Sequence, residues 1–474
     1  MNLKFLLKGI SFLIFISNVF ADYTGDCKDM IQYLNEEDQS YYRSFIYNCE
    51  VNSEGKVVEL VLKNNNLSEE TIKNILSYDT ITSLIYIVDI GHVDSGLTQQ
   101  YPVFPDIITK LPNLEELELT NNEYFESHTY ARYYQRPIDE NVLKLPNSLK
   151  KLTLKFIELS QTNIDEISTI TNLKELNLSN CKTEGLNFEP INSLKQLNTL
   201  SLTGYSDLHE DPHYVDKGLL KSFKSIKELD LTGMTLNQDN INEIAGLKNL
   251  ENLKLLANSS LDLTNLKKLK KISSVFIKYF DRAMFDIDER FNIDRTINFK
   301  FNKNIKQLTI DDFELGQKNI DEIASYTNLN LLNFKSVKYS KDVKLDKLKN
   351  LKNLLALYME DSSYNSEFPS FIKSLSKLKE LKLVLQDIET IPDDLNLKNL
   401  ELLELNFNEI KAIPETINNL VNLKTINLND NKIVNIPESL GDLKNLESLD
   451  LSYNKIDDTI PKSLNNLTKL EYIQ

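Results

Sequence analysis

The sequence predicts an α/β solenoid: a stack of short parallel strands, each returned by a short helix or an irregular segment. Three observations carry this expectation. The apolar pattern L-x-x-L-x-L-x-x-N-x-L recurs from about residue 57 to the end, and most successive copies start 22 to 25 residues apart. Within each copy, L-x-L puts two leucines on the same side of a short strand, because strand side chains alternate. Between copies lie segments rich in helix-capping residue types or in proline after the turn. A chain of 474 residues is too long for one compact core. A repeat array resolves this, since each unit buries its apolar face only against its neighbours.

The elements follow in chain order. Lys4 and Lys8 precede a short apolar run, Gly9 to Phe20, and Val19-Phe20-Ala21 ends it with small residues suited to cleavage before Asp22. Residues 1–21 therefore read as a signal peptide. The alternative, an uncleaved anchor, needs roughly 20 apolar residues to cross the membrane, and neither this run nor any later segment reaches that length. Secretion makes disulfides attainable. The formal net charge of −16 becomes −18 once Lys4 and Lys8 are removed, and such a chain lacks the basic face that non-specific nucleic-acid binding requires. Residues 22–55 carry no repeat and read as an N-terminal cap, without which the first core leucines would be open to water.

Residues 56–474 read as the solenoid. Its clearest copies are Leu114, Leu117, Leu119, Asn122; Leu400, Leu403, Leu405, Asn408, Ile410; Leu423, Ile426, Leu428, Asn431, Ile433; and Leu446, Leu449, Leu451, Asn454, Ile456. Further copies begin at Val57, Leu149, Leu173, Leu197, Ile226, Leu250, Ile305, Leu329, Leu354 and Leu378. Strands stacked about 4.8 Å apart make one parallel sheet with a continuous core behind it. The Asn after each strand stands where the chain turns and leaves backbone groups unpaired; its amide both donates and accepts, so a column of them ladders through the stack. Among the returns, Asn163-Ile-Asp-Glu166, Asn240-Ile-Asn-Glu243 and Asn319-Ile-Asp-Glu322 resemble capping boxes, with Asn as the cap and Glu reaching back. The last repeats put Pro392, Pro414, Pro437 and Pro461 after the turn, which favours an extended approach or a first helical turn.

Many copies with one period make the chain resemble the leucine-rich-repeat superfamily over nearly all of its mature length. The Ile-Pro returns resemble those of its extracellular and Ras-scaffold-like classes. Asn454-Lys-Ile-Asp-Asp-Thr-Ile-Pro461 approaches the plant-type variant, with Asp457 and Asp458 where Gly is usual. The resemblance implies a curved horseshoe with the parallel sheet on its concave face, short helices and irregular segments on the convex face, and binding of proteins or peptides on the sheet. It names no ligand. Cys27 and Cys49 bracket the non-repeat segment as in the cap of plant-type extracellular members, which implies a Cys27–Cys49 bridge. Cys181 falls at the ladder position, where the pattern itself permits Cys, and is expected to be buried and inert.

Alternation also sorts the surface. The middle residues of L-x-L point away from the core and are largely polar; they include Asn177, Asp230, Lys254, Tyr358, Lys382, Glu404 and Asp450. The position before the ladder residue holds Leu385, Phe407 and Tyr453 in the C-terminal half. With Tyr358 these form a candidate ligand-binding stripe rimmed by Glu404 and Asp450; the plainer alternative is scattered surface apolars. Of the sequons, Asn66 and Asn466 are expected to be exposed and glycosylated, Asn177 faces the sheet side, and Asn258 occupies a ladder position and is expected to be buried and bare.

Three insertions interrupt the period: Tyr124 to Leu145, the segment around His209, and Phe276 to Lys303. The first and third carry Tyr, Phe and Arg, including Tyr130, Arg132, Arg282 and Phe285, as loops near a binding face often do; the plainer alternative is gap-filling. His209-Glu-Asp-Pro-His213 satisfies the letters of a zinc-protease motif, but that motif works only on a helix and Pro212 opposes one, so a solvated acidic loop is the better reading. His92 and His128 read as surface residues. No catalytic residue, metal site or cofactor is expected. The chain stops within a strand pattern at Leu470-Glu-Tyr-Ile473-Gln474, read as incompleteness rather than a partnered end. The reading is an extracellular binding protein for a protein, peptide or glycan. A structural cell-wall or matrix protein is the alternative from another class, and a zinc hydrolase using the His209 loop is a remote third.

Overall fold

The computed structural model describes residues 23–36, 45–64, 67–88, 106–121, 136–137, 143, 145–183, 185–204, 214–280, 294–362, 364, 366–457 and 460–474. The expected signal peptide at 1–21, Asn66, His92, His128, the motif from His209 to His213 and most of the first insertion lie outside these residues. The chain divides into two compact units, residues 1–132 with 144–149, and residues 133–143 with 150–474.

In the first unit, helix Gly25–Glu36 and strand Ile46–Val51 are the described elements of the segment expected as a cap. The strand runs antiparallel to Val57–Asn64, which begins a parallel run through Ser83–Val88 to Glu116–Asn121. Cys27 and Cys49 are joined in a disulfide between the cap helix and the cap strand. The buried Asp26 carboxylate accepts from the Val57 amide at 3.1 Å, a second tie between cap and first repeat.

The second unit is the repeat stack. Parallel strands follow one another in chain order from Lys151–Lys155 to Tyr472–Ile473. The register aligns equivalent positions: Leu176 opposes Leu200, Leu357 opposes Leu381, and Leu403 opposes Ile426. These residues are fully buried. Each repeat thus places its two strand leucines against the same pair in its neighbour, and burying each contributes roughly 1.5–3 kcal/mol.

Two strands correct the sequence reading. Ser83–Val88 and Ser274–Tyr279 are sheet strands of copies that begin at Ile81 and Ile272. In the first, Tyr86 fills a leucine position and its hydroxyl accepts from Asn64 Nδ2 at 2.9 Å. In the second, Val275 and Ile277 fill both positions. The third insertion therefore starts after this strand: Phe276 and Tyr279 belong to the sheet, and Tyr279 is buried. Residues 281–293 are outside the described set.

The returns correct it again. Helices Gln161–Ile167, Gln238–Ile244 and Gln317–Ala324 form where capping boxes were expected, but three residues earlier in register. Ser160, Asn237 and Gly316 are the caps, and Asn163, Asn240 and Asn319 stand at the third helical position, accepting from the cap amides at 2.9–3.0 Å. Gly316 has no side chain to return the bond. Asn163 and Asn240 are wholly buried, and Asn240 and Asn319 also donate to carbonyls of the preceding repeat, Val215 and Ile297. Glu243 does not reach back but accepts from the Gly218 amide at 2.7 Å. Pro414, Pro437 and Pro461 each stand in extended backbone just before a single 3-10 turn.

Candidate binding face

The site is built where each strand ends. At the ladder position Asn408 accepts from the Gln386 and Ile388 amides at 3.0 and 3.1 Å and donates to Leu383 O and Leu405 O. Asn431 accepts from Ile410 N and donates to Leu405 O and Leu428 O, and Asn454 repeats the set one turn later. Among the described residues this inward-facing Asn column lies in these last repeats. Ser362 does a shorter version, accepting from Val337 N at 3.0 Å, and Cys181 donates to Leu154 O at 3.3 Å. Burial pushes the Cys181 thiol up to about 12, so it stays protonated and unreactive. Phe313 and Val337 occupy the same position as ordinary core residues. Asn258 departs from expectation: it is only half-buried, and its Oδ1 accepts from Ser260 N and Oγ in a local turn.

Immediately before the ladder residue the backbone is left-handed in ten repeats among the described residues. The turn that swings the ladder side chain inward requires it. Asn180, Gly233, Asp312, Ser336, Asp361 and Asp430 fill the position with small or hydrogen-bonding side chains; Gly, Asn and Asp tolerate this conformation best. Phe156, Leu385, Phe407 and Tyr453 do not belong to that class, and a bulky side chain in left-handed backbone costs roughly 1 kcal/mol or more. Phe156 is half-buried, so its bulk is used in packing. Leu385, Phe407 and Tyr453 are 49%, 44% and 80% exposed.

The predicted site residues therefore fall into two columns. Tyr358, Lys382, Glu404, Asn427 and Asp450 stand in register along the middle of consecutive strands. The Tyr358 hydroxyl donates to Glu380, the Lys382 ammonium lies 5.4 Å from the Tyr358 ring centre, and Lys382 pairs with Glu404 at 2.8 Å. Desolvation first, and the carboxylate of Glu380 second, push the Tyr358 phenol up, so it remains a donor. Asp450 holds its own strand end, accepting from Ser452 N and Oγ, and takes Asn429 Nδ2 at 3.3 Å. Leu385, Phe407 and Tyr453 form the second column at the strand ends, with Asp430 between Phe407 and Tyr453. Thr153 faces the same side of the sheet as this middle column yet is buried, with Asn177 Nδ2 on its hydroxyl at 3.2 Å. Asn177 also donates to Glu175, whereas the sequon residue Asn466 is exposed.

Sequence reasoning missed a second amide column at the opposite ends of the strands. Asn249, Asn328, Asn353, Asn399, Asn422 and Asn445 each donate to a carbonyl of the preceding repeat at 2.7–3.2 Å. The signal was present: Asn stands directly before the first leucine in each of these copies. No group of three or more His, Cys, Asp or Glu placed to hold a metal ion occurs among the described residues.

Residues 364–474 match the family model for a leucine-rich repeat region. The fold is a leucine-rich-repeat solenoid. A leucine-rich-repeat protein of Leptospira interrogans is similar at 23% identity over 86% of this chain and 95% of that one, with a TM-score of 0.50. TLR13, solved in complex with ssRNA13, is similar at 19% identity over 87% of this chain, with a TM-score of 0.51. The Toll–Spatzle complex from Drosophila matches at 17% identity over 87%, with a TM-score of 0.50. The chain spans 61% and 60% of the lengths of those two. At such identities the likeness shows the fold alone. No curated protein matches the sequence. No helix of the described residues is long and apolar enough to cross a membrane.

Proposed function

We propose that this leucine-rich-repeat solenoid is a non-catalytic extracellular recognition protein that presents the sheet face of its C-terminal repeats to a protein, peptide or glycan. One observation carries the reading: Leu385, Phe407 and Tyr453 are bulky, exposed and held in left-handed backbone that smaller residues fill in neighbouring repeats. Backbone strain combined with exposed apolar surface contributes nothing to the core, and such strain concentrates at ligand sites. Tyr358, Glu404 and Asp450 add polar groups on the adjoining column. The Cys27–Cys49 disulfide supports an oxidising, extracellular setting, in keeping with the proposed signal peptide at 1–21, cap at 22–55 and solenoid at 56–474. Asn66 and Asn466 are the proposed glycosylation sites.

The test is capture of ligands by the secreted protein from extracellular protein fractions and on a glycan array, in parallel with the Tyr358→Ala, Phe407→Ala double variant. A ligand held by the native protein and lost by the variant is the expected result. Ligands retained equally by both would refute the face. Retention of the protein itself in a detergent-resistant wall or matrix fraction, with no saturable ligand, would favour the structural alternative.

A further inference from the structure

The charge on the sheet face changes along the stack. Over the strands from Lys151 to Lys335, the residues pointing out from the sheet and the left-handed position that follows hold five acids and five bases. Three of those acids pair across strands, Glu175 with Lys151, Asp230 with Lys254 and Asp311 with Lys278. In the strands from Ala356 to Asp450 and the turns after them, the same positions hold Glu360, Asp361, Glu380, Glu404, Asp430 and Asp450 against a single base, Lys382. That base is already committed to Glu404. The acidic excess coincides with the repeats that carry Leu385, Phe407 and Tyr453. Asp430 is exposed, and among the described residues its carboxylate has no partner, although it stands between Phe407 and Tyr453 in one column.

From this we infer that the face binds a polypeptide segment in which basic side chains alternate with apolar ones, its cation meeting Asp430 and its apolar groups meeting Phe407 and Tyr453. The inference rests on the binding reading above and names the partner's chemistry. Like-charge surplus on a face repels acidic partners and steers basic ones. Apolar side chains in the same column add contact that a purely hydrated polycation does not use. A neutral oligosaccharide can hydrogen-bond to these carboxylates but carries no charge for the surplus to attract.

Two variants test this without disturbing the backbone, because Asn tolerates the left-handed conformation as Asp does: Asp430→Asn and Tyr453→Asn. The probe is a synthetic dodecapeptide alternating lysine and leucine, with lysine–serine and glutamate–leucine peptides for comparison. The expected result is saturable binding of the lysine–leucine peptide that weakens with salt and falls by about fivefold or more in each variant. Glu228→Gln, which removes one exposed charge from the balanced part of the face, leaves it unchanged. Equal binding of the lysine–serine or glutamate–leucine peptide, or an equal loss in Glu228→Gln, overturns the inference. An oligosaccharide whose capture depends on Phe407 overturns it while leaving the binding reading intact. Ligands insensitive to every face residue overturn both.

Discussion

Removing the Asn431 carboxamide would strand the Ile410 amide in a place water does not reach, and would take one of two donors from each of the Leu405 and Leu428 carbonyls, which keep Asn408 and Asn454. That orphan costs about 1–3 kcal/mol, and the loss of one bond at each carbonyl adds to it. Asn431→Ala is therefore expected to lose about 3 kcal/mol in chemical denaturation, whereas Asn422→Ala, which breaks one exposed bond to Lys398 O, loses about 1 kcal/mol or less. Equal losses would show that the two columns do the same work. The left-handed column gives a prediction of opposite sign. Tyr453 is 80% exposed and buries little, so Tyr453→Asn is expected to raise stability by about 0.5–1 kcal/mol, while Tyr453→Val, β-branched in left-handed backbone, lowers it. The ladder at Asn408, Asn431 and Asn454 was legible because one residue type recurs at one position. The left-handed position was not: Phe, Asn, Gly, Asp, Ser, Leu and Tyr all occupy it, so no residue type marks a conformation that only the three-dimensional turn imposes.

At the scale of elements, the cap depends on few contacts. Helix Gly25–Glu36 is fastened to strand Ile46–Val51 by Cys27–Cys49, across a separation of 22 residues, and to Val57 by the Asp26 carboxylate. Gly25 and Gly55 approach so closely that a Cβ on Gly25 would lie 2.1 Å from Gly55 O. A closed loop of this length contributes about 3 kcal/mol. Reduction is therefore expected to increase amide exchange in Val57–Asn64 roughly a hundredfold, corresponding to about 3 kcal/mol, while amides of the strands from Thr425 onward keep their protection. Unchanged exchange in Val57–Asn64 would show that packing alone holds the cap. The bridge was implied by resemblance rather than by the residues between the cysteines. The return helices were legible as elements but misplaced, because Asn is acceptable both as a cap and at the third helical position; Ser160, Asn237 and Gly316, three residues earlier, decide between the two. The strands at Ser83 and Ser274 were illegible for a plainer reason: Tyr86, Val275 and Ile277 bury as leucine does without spelling it.

Across the repeat stack as a whole, the described strands of the second unit pair with strands of the adjoining repeats, both on the main sheet and in the short side pairings of Asp262–Leu263 with Asn298–Phe299 and Glu314–Leu315 with Lys338–Tyr339, so its stability is a sum of repeat terms and nearest-neighbour terms. This part of the fold was the most legible, since a period needs only spacing to be seen. The division of charge along the face was equally open to reading, but it takes meaning only once register places Glu404, Asn427 and Asp450 side by side. Nearest-neighbour coupling has a measurable consequence. Ile426 is fully buried and opposes Leu403 and Leu449 in the adjoining strands. Ile426→Ala is expected to cost about 2–5 kcal/mol locally. In native-state hydrogen exchange, protection should fall in the strands Leu402–Glu404, Thr425–Asn427 and Ser448–Asp450, and remain unchanged in Glu175–Ser179 and Thr199–Thr203. A uniform loss over both groups would mean that the second unit unfolds as one cooperative body, and ligand binding at Phe407 would then stabilise strands far along the stack as strongly as those it touches.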